Sequence, residues 1–187
     1  MLPLDTAAPT PEGNAPDAEA LVAALRDGVR SLLKAGGVIV GIWRGGAWLA
    51  ERLQRELALP GGDKGDGVIS STLHRDDYGS RGLAGSDPTR LPFDINGLHV
   101  VLIDDVLYTG RTVRAVVNEL YDYGRPASVQ LAVLVDRGGR ELPVAAAYAA
   151  AMLQLPASQR LSLVRDETTA GGTGLRFALQ GKAEDRV

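Results

Sequence analysis

An open α/β fold, with a mainly parallel central sheet flanked by helices, is what this sequence predicts. Three features carry that expectation. Short apolar runs rich in β-branched residues recur at 38–42, 99–103 and 129–135, as in strands buried on both faces. Segments with apolar residues at helical spacing precede or separate them. Glycine or proline closes most segments, so the strand and helix signals alternate cleanly. Such strand–helix–strand order implies right-handed crossovers and parallel strands.

The elements follow in order. The chain has 187 residues, enough for one domain. Residues 1–16 hold four of the ten prolines and little that packs, so they are expected to be a disordered leader ahead of a single domain over 17–187. Asp17 reads as a helix N-cap, followed by Ala20, Leu21, Ala24, Leu25, Gly28, Val29 and Leu32 at helical spacing. Gly36 and Gly37 stop that helix, and the first strand, 38–42, follows. A turn at Arg44-Gly45-Gly46 leads into a second helix, about 47–59, with Leu49, Leu53 and Leu57 facing the core. After a glycine-rich connection, a strand is expected at 68–74. Residues 75–97 are polar, rich in glycine and without periodicity. That is longer than the roughly 12–15 residues usual for structureless loops, which favours a functional flexible loop.

The strand 99–103 ends in Asp104-Asp105. A helix is expected over about 110–123, stopped by Gly124 and Pro126, and then a strand at 129–135 ending in Asp136-Arg137. Beyond Pro143 the pattern weakens. Apolar runs at 161–164 and 175–179 suggest a closing hairpin across the turn 169–172. No internal repeat is present.

Composition excludes several classes of function. Hydrophobic residues make up 45% and charged residues 23%, enough for an ordinary buried core. The most apolar stretch, around 144–152, is half the ~18 residues a membrane span needs. The chain has no cysteine and two histidines, His74 and His99, so disulfides, cysteine nucleophiles and histidine-rich metal centres are ruled out. A net charge of −3 argues against generic binding to nucleic acid. No export signal is evident, so a cytoplasmic location is expected.

Residues 100–112, VVLIDDVLYTGRT, are the most informative. They read as a strand, two acids, a loop of hydroxyls and glycine, and a helix start. Ligands of parallel α/β sheets bind beyond the carboxyl ends of the strands, which is where Asp104 and Asp105 are expected. The segment Val106, Leu107, Tyr108, Thr109, Gly110, Arg111 and Thr112 brings amides and hydroxyls to a helix N-terminus, a setting that favours a phosphate. The acids beside it suit vicinal hydroxyls or hydrated Mg²⁺. Together they describe a ribose 5-phosphate site. The alternative is that the acids merely satisfy backbone groups at a strand end.

This thirteen-residue string resembles the signature of type I phosphoribosyltransferases, which bind 5-phosphoribosyl-1-pyrophosphate (PRPP). The runs LHRDD at 73–77, DDVLYTGRTVRA at 104–115 and GRPASVQLAVLVDRGGRELP at 124–143 are similar to the PyrR family. Those proteins pair uracil phosphoribosyltransferase activity with, in some members, RNA-binding control of pyrimidine genes. The resemblance covers roughly 17–148. It implies a type I phosphoribosyltransferase fold with a flexible loop and a small hood from about 137 onward. It also implies Mg²⁺ carried by PRPP near Asp104 and Asp105, with no direct protein ligand, and an assembly of at least two copies.

Carried over to matching positions, Asp104 and Asp105 would hold the ribose hydroxyls, and 106–112 would wrap the 5′-phosphate. Arg137 falls where the family contacts nucleotide, and Leu161, with the run to Leu163, is a further candidate on the base side. Arg44 and Gly45 fall in the pyrophosphate loop, where an arginine and two glycines entering a helix suit an anion on charge and close approach alone. Many PyrR proteins read Thr-Arg-Gly there, with the arginine one place later than Arg44. Arg75 and Arg81, in the long loop, could close over pyrophosphate. The expected catalytic set is Asp104, Asp105 and Arg44.

For RNA, Arg125 and Arg140 match the family. Members that attenuate transcription typically carry histidine where this chain has Gly139, and often arginine where it has Ala145. On the first helix, Asp27 and Gly28 dilute the basic face of Arg26 and Arg30. Past Tyr148, Ala149-Ala150-Ala151-Met152 replaces the family's frequent Gly-Lys-Asn. The favoured reading is a uracil phosphoribosyltransferase making UMP, with weak or absent RNA attenuation. The alternatives are a UMP-sensing RNA-binding regulator and a phosphoribosyltransferase for another base.

Overall fold

The structure, a computed structural model, describes residues 15–59, 67–70, 89–166 and 174–181. Of the expected leader, 1–14 lie outside this range, while Ala15 packs against the core. Helix α1, Ala18–Leu32, starts at the expected cap: the Asp17 carboxylate accepts from the amides of Glu19 (3.0 Å) and Ala20 (3.4 Å). Strand β1, Val38–Ile42, leads to α2, Gly45–Glu56, and then β2, Gly67–Ile69. Strand β3, His99–Leu107, α3, Arg111–Tyr123, and β4, Ser128–Asp136, form the next unit. Strands β5, Tyr148–Met152, β6, Gln159–Asp166, and β7, Gly174–Gly181, complete the described elements.

Strands β1 to β5 form one sheet in the order β2-β1-β3-β4-β5, with every neighbouring pair parallel. Strands β6 and β7 pair antiparallel as a separate hairpin, the one expected from the apolar runs at 161–164 and 175–179. The sheet sorts its side chains by face. Ile39, Val101, Ile103, Ala132 and Leu134 pack under α1, α2 and the hairpin. Val40, Ile42, Val100, Leu102 and Val133 pack under α3 and Ile95. Burial on both faces is why the core strands read as continuous apolar runs. Leu53 of α2 is fully buried in the first cluster. Leu53→Ala should cost about 2–5 kcal/mol, read as a lower urea midpoint at unchanged slope.

The structure departs from the sequence expectation in four places. Helix α2 begins at Gly45, so the glycine pair is its first turn and not a turn before it. Strand β3 runs through Asp104 and Asp105 to Leu107, because β4 pairs with it as far as Leu107↔Asp136. A fifth parallel strand, β5, comes from the alanine-rich stretch, so part of the segment expected as hood lies in the main sheet. The latter part of the long loop packs back on the domain: Ile95 is buried and Arg90 bridges Val68. The rest of that loop, and most of the strand expected at 68–74, lie outside the described residues.

Candidate active site

In the strand order β2-β1-β3-β4-β5, the chain leaves β1 toward β2 on one side and reaches β3 on the other. The carboxyl ends of β1 and β3 therefore diverge, making the crevice where such sheets bind ligands. The last β1–β3 pair is Gly41↔Ile103. Past it β1 turns away, while β3 continues beside β4. Asp104 and Asp105 thus emerge at the sheet's carboxyl edge on the β1 side even though they are strand residues.

The glycines of α2 fit this edge closely. A Cβ on Gly45 would lie 2.6 Å from the Asp105 carboxylate, and one on Gly46 would overlap the Ile103 carbonyl oxygen and sit 3.0 Å from Asp104 Cα. The first turn of a helix carries amides without intrahelical partners and the positive end of the helix dipole. Here that turn lies directly against Asp105. Arg44 is exposed at the N-cap, its guanidinium over the Trp43 ring at 5.7 Å, and the peptide joining the two residues is cis. The structure therefore brings Arg44, Gly45, Asp104 and Asp105 to one edge.

The two acids differ in setting. Asp104 is buried, and its Oδ1 accepts from the Asp105 amide at 3.0 Å. Asp105 is half-buried, and its Oδ2 accepts from the Leu163 amide of β6 at 3.3 Å. Asp105 is thus held between α2 and the hairpin. Leu161, expected on the base side, packs its side chain into the core; the group β6 offers the edge is the Leu163 amide.

Val106 and Leu107 finish β3, and Tyr108, Thr109 and Gly110 turn into α3 at Arg111. Gly110 makes that turn at φ 90°, in the left-handed region, where other residues are strained. Thr109 Oγ1 accepts from the Arg111 amide at 3.3 Å. The Arg111 guanidinium pairs with Glu141 at 2.7 Å, on the outer side of the turn. Thr112 is half-buried in the first turn of α3.

Segment 137–144 backs this turn. Arg137 is 7% exposed and stacks 3.9 Å from the Tyr108 ring centre. It donates to the carbonyls of Gln159 (3.1 Å) and Pro156 (3.3 Å), and its buried Nε has no hydrogen-bond partner among the described residues. Arg140 points inward to backbone carbonyls and Asp136. Arg125 lies at the far end of α3, bonded to the carbonyls of Tyr121 and Gly124 and over the Tyr121 ring. Arg75 and Arg81 lie outside the described residues. The sequence reading missed the Leu163 amide, the Tyr108–Arg137 stack and the inward course of Arg140. All three join residues distant in the chain, and in the first the donor is a backbone amide.

Two adjacent carboxylates form the acidic part of the edge, and no cluster of three or more metal-ligating side chains occurs among the described residues. That donor set fits a magnesium ion shared with substrate oxygens better than a resident ion in a protein cage. No helix among the described residues is long and apolar enough to cross a membrane.

Residues 20–152 match the Phosphoribosyl transferase domain family. The chain is 45% identical to Bifunctional protein PyrR of Ralstonia nicotianae over 171 residues, covering 89% of this chain and 95% of that one. It is 49% identical to Bifunctional protein PyrR of Listeria welshimeri over 130 residues, 67% of this chain and 71% of that one. Among solved structures, the hypoxanthine phosphoribosyltransferase of Trypanosoma cruzi superposes with a TM-score of 0.54 at 20% identity, covering 74% and 79% of the two chains. The HGPRT-ase of Leishmania tarentolae gives 0.53 at 16% identity, covering 79% and 82%. The structural likenesses carry the fold. With the strand order and the 100–112 segment, the domain match and the sequence identities show that this chain belongs to the PyrR family of phosphoribosyltransferases.

Proposed function

We propose that the protein transfers the phosphoribosyl group of PRPP to uracil, forming UMP and pyrophosphate, in the cytoplasm and as an assembly of at least two copies. The observation that carries the reading is the fit of Gly45 against Asp105, which sets a helix N-terminus beside two acids and a phosphate-type turn. In the proposed site the turn 106–112 receives the 5′-phosphate, Asp104 and Asp105 receive the ribose hydroxyls, and Arg44 with the amides of α2 faces pyrophosphate. Mg²⁺ carried by PRPP would lie near Asp104 and Asp105 and would supply positive charge that eases departure of pyrophosphate. The bond from C1′ to pyrophosphate breaks, its electron pair leaving with pyrophosphate, as the base nitrogen bonds C1′ from the opposite side and gives up its N–H proton. The chain needs no nucleophile for this. Its residues position the two reactants and stabilise developing charge.

Weak or absent RNA control is part of the proposal, and what supports it is how the candidate cations are engaged. Arg26 and Arg30 both contact Asp27, at 3.1 and 2.9 Å, and the hydrogen bond with Arg26 lowers the Asp27 pKa. Arg125 and Arg140 donate to backbone carbonyls. A side chain at Gly139 would run into the Tyr108 ring, so histidine there is incompatible with the present stack. Each phosphate contact a protein forgoes lowers its salt dependence of binding by about one counterion.

Product formation from PRPP with uracil, orotate, hypoxanthine and xanthine, each with and without Mg²⁺, tests the function. UMP is expected as the main product, only with the metal. A purine product would move the protein to another base. A gel shift with pyrimidine-gene leader RNA across a salt series should show weak binding; tight binding strengthened by UMP would establish a regulator.

A further inference from the structure

We infer that Arg140 is a positioning residue for the phosphate turn, the group that faces its amides toward the ligand. The inference rests on reading 106–112 as the 5′-phosphate cradle.

Strand β3 loses its partner after the pair Leu107↔Asp136, so the carbonyls that follow need other donors. Segment 137–142 supplies all of them. Leu107 O accepts from the Arg137 amide at 3.0 Å and from Arg140 Nη1 at 3.4 Å. Tyr108 O accepts from Arg140 Nη1 at 2.6 Å. Thr109 O accepts from the amides of Glu141 (3.0 Å) and Leu142 (3.3 Å). Three consecutive carbonyls are therefore drawn to one side.

A trans peptide points its N–H opposite its C=O. Holding the carbonyls of 107, 108 and 109 against segment 137–142 turns the amides of Tyr108, Thr109 and Gly110 the other way. That is the array of donors an anion needs. The middle carbonyl, Tyr108 O, has the Arg140 guanidinium as its donor, so the orientation of the Thr109 amide depends on this side chain.

Arg140 is itself fixed from several directions. Its Nε donates to Val144 O at 3.0 Å, Nη1 also meets Gly138 O at 3.0 Å, and Nη2 pairs with Asp136. Asp136 in turn accepts from the Gly138 amide at 2.9 Å. The Arg140 side chain is 22% exposed, and its donors point into this cage rather than to solvent. A planar five-donor fork suits a cage of several acceptors; an ammonium group cannot span them.

The test compares anions and uses no base, so it stands apart from the choice of uracil. Calorimetric titration of wild type and Arg140→Lys with ribose, ribose 5-phosphate, PRPP and pyrophosphate reads the two ends of the site separately. The lysine variant should bind ribose 5-phosphate and PRPP about tenfold or more weakly, the scale of one charge-assisted hydrogen bond. Pyrophosphate, which would meet Arg44 and α2, should bind as before. Asp136→Asn, which keeps the side-chain shape and every backbone bond of Arg140, serves if the lysine variant does not fold; it should weaken the same two ligands about threefold. Equal losses for pyrophosphate, or no loss for ribose 5-phosphate, would overturn the inference. Failure of wild type to prefer ribose 5-phosphate over ribose would remove the cradle itself, whereas failure to use uracil would leave this result intact.

Discussion

Gly46→Ala is expected to lower stability by about 3 kcal/mol and to abolish most activity. The new methyl would meet Ile103 O and Asp104 Cα, which are backbone atoms of a central strand and cannot rotate aside. Overpacking against rigid atoms costs roughly 1–3 kcal/mol, and here the strand is paired on both sides, so the upper end applies. The helix must then lift from β3, taking Arg44 and Gly45 away from Asp105. Denaturation by urea reads the first effect, and phosphoribosyl transfer per folded molecule reads the second. Gly181→Ala is the control, because nothing among the described residues lies within 4 Å of its added carbon. A Gly46→Ala protein with the wild-type midpoint would refute the close approach.

Asp105→Asn should leave the fold intact and reduce kcat by about 10²–10³, the range seen when one charge-stabilising group is removed from a site. The asparagine has the volume of the aspartate, and its side-chain oxygen can still accept from the Leu163 amide. Packing against Gly45 is therefore preserved while the negative charge is lost. The charge is what the proposed site uses, to hold the ribose and its metal as positive character builds at C1′. The circular dichroism spectrum and melting temperature should match wild type while turnover collapses. Wild-type turnover in this variant would remove Asp105 from the chemistry.

Much of this architecture can be read from the chain because its central strands are buried on both faces. Runs such as Val38-Ile39-Val40 have no polar alternation to confuse them, and Asp17 marks its helix by an ordinary cap. Strand β5 escaped because alanine carries little β preference and no branched residue flags the stretch. The start of α2 reads late in the sequence because a glycine pair usually signals a turn. In this fold the glycines serve close packing, which depends on β3 and is invisible locally. The reach of β3 is hidden for a related reason: an acid pair suggests the end of a strand, but pairing with β4 extends it to Leu107.

The candidate site divides the same way. The segment 104–112 is contiguous, so its acids, hydroxyls and glycine announce themselves in sequence. The groups that hold it are scattered: Arg140 lies about thirty residues downstream and Leu163 further still. A basic residue in a loop suggests an outward surface, and only the geometry turns Arg140 inward. Backbone donors such as the Leu163 amide leave no trace in residue identity at all.

The bridge between Arg90 and Val68 has a bearing on how copies of the protein can meet. In a strand of three residues, only the middle one directs its main-chain groups away from β1, and both are taken: Val68 N–H and C=O each bond Arg90 at 2.8 Å. That rim is plugged from within. Among the described residues, β2 leaves no unpaired main-chain group on this side for a second chain to extend. Over Gly67–Ile69 this flank is therefore closed to runaway strand-to-strand growth.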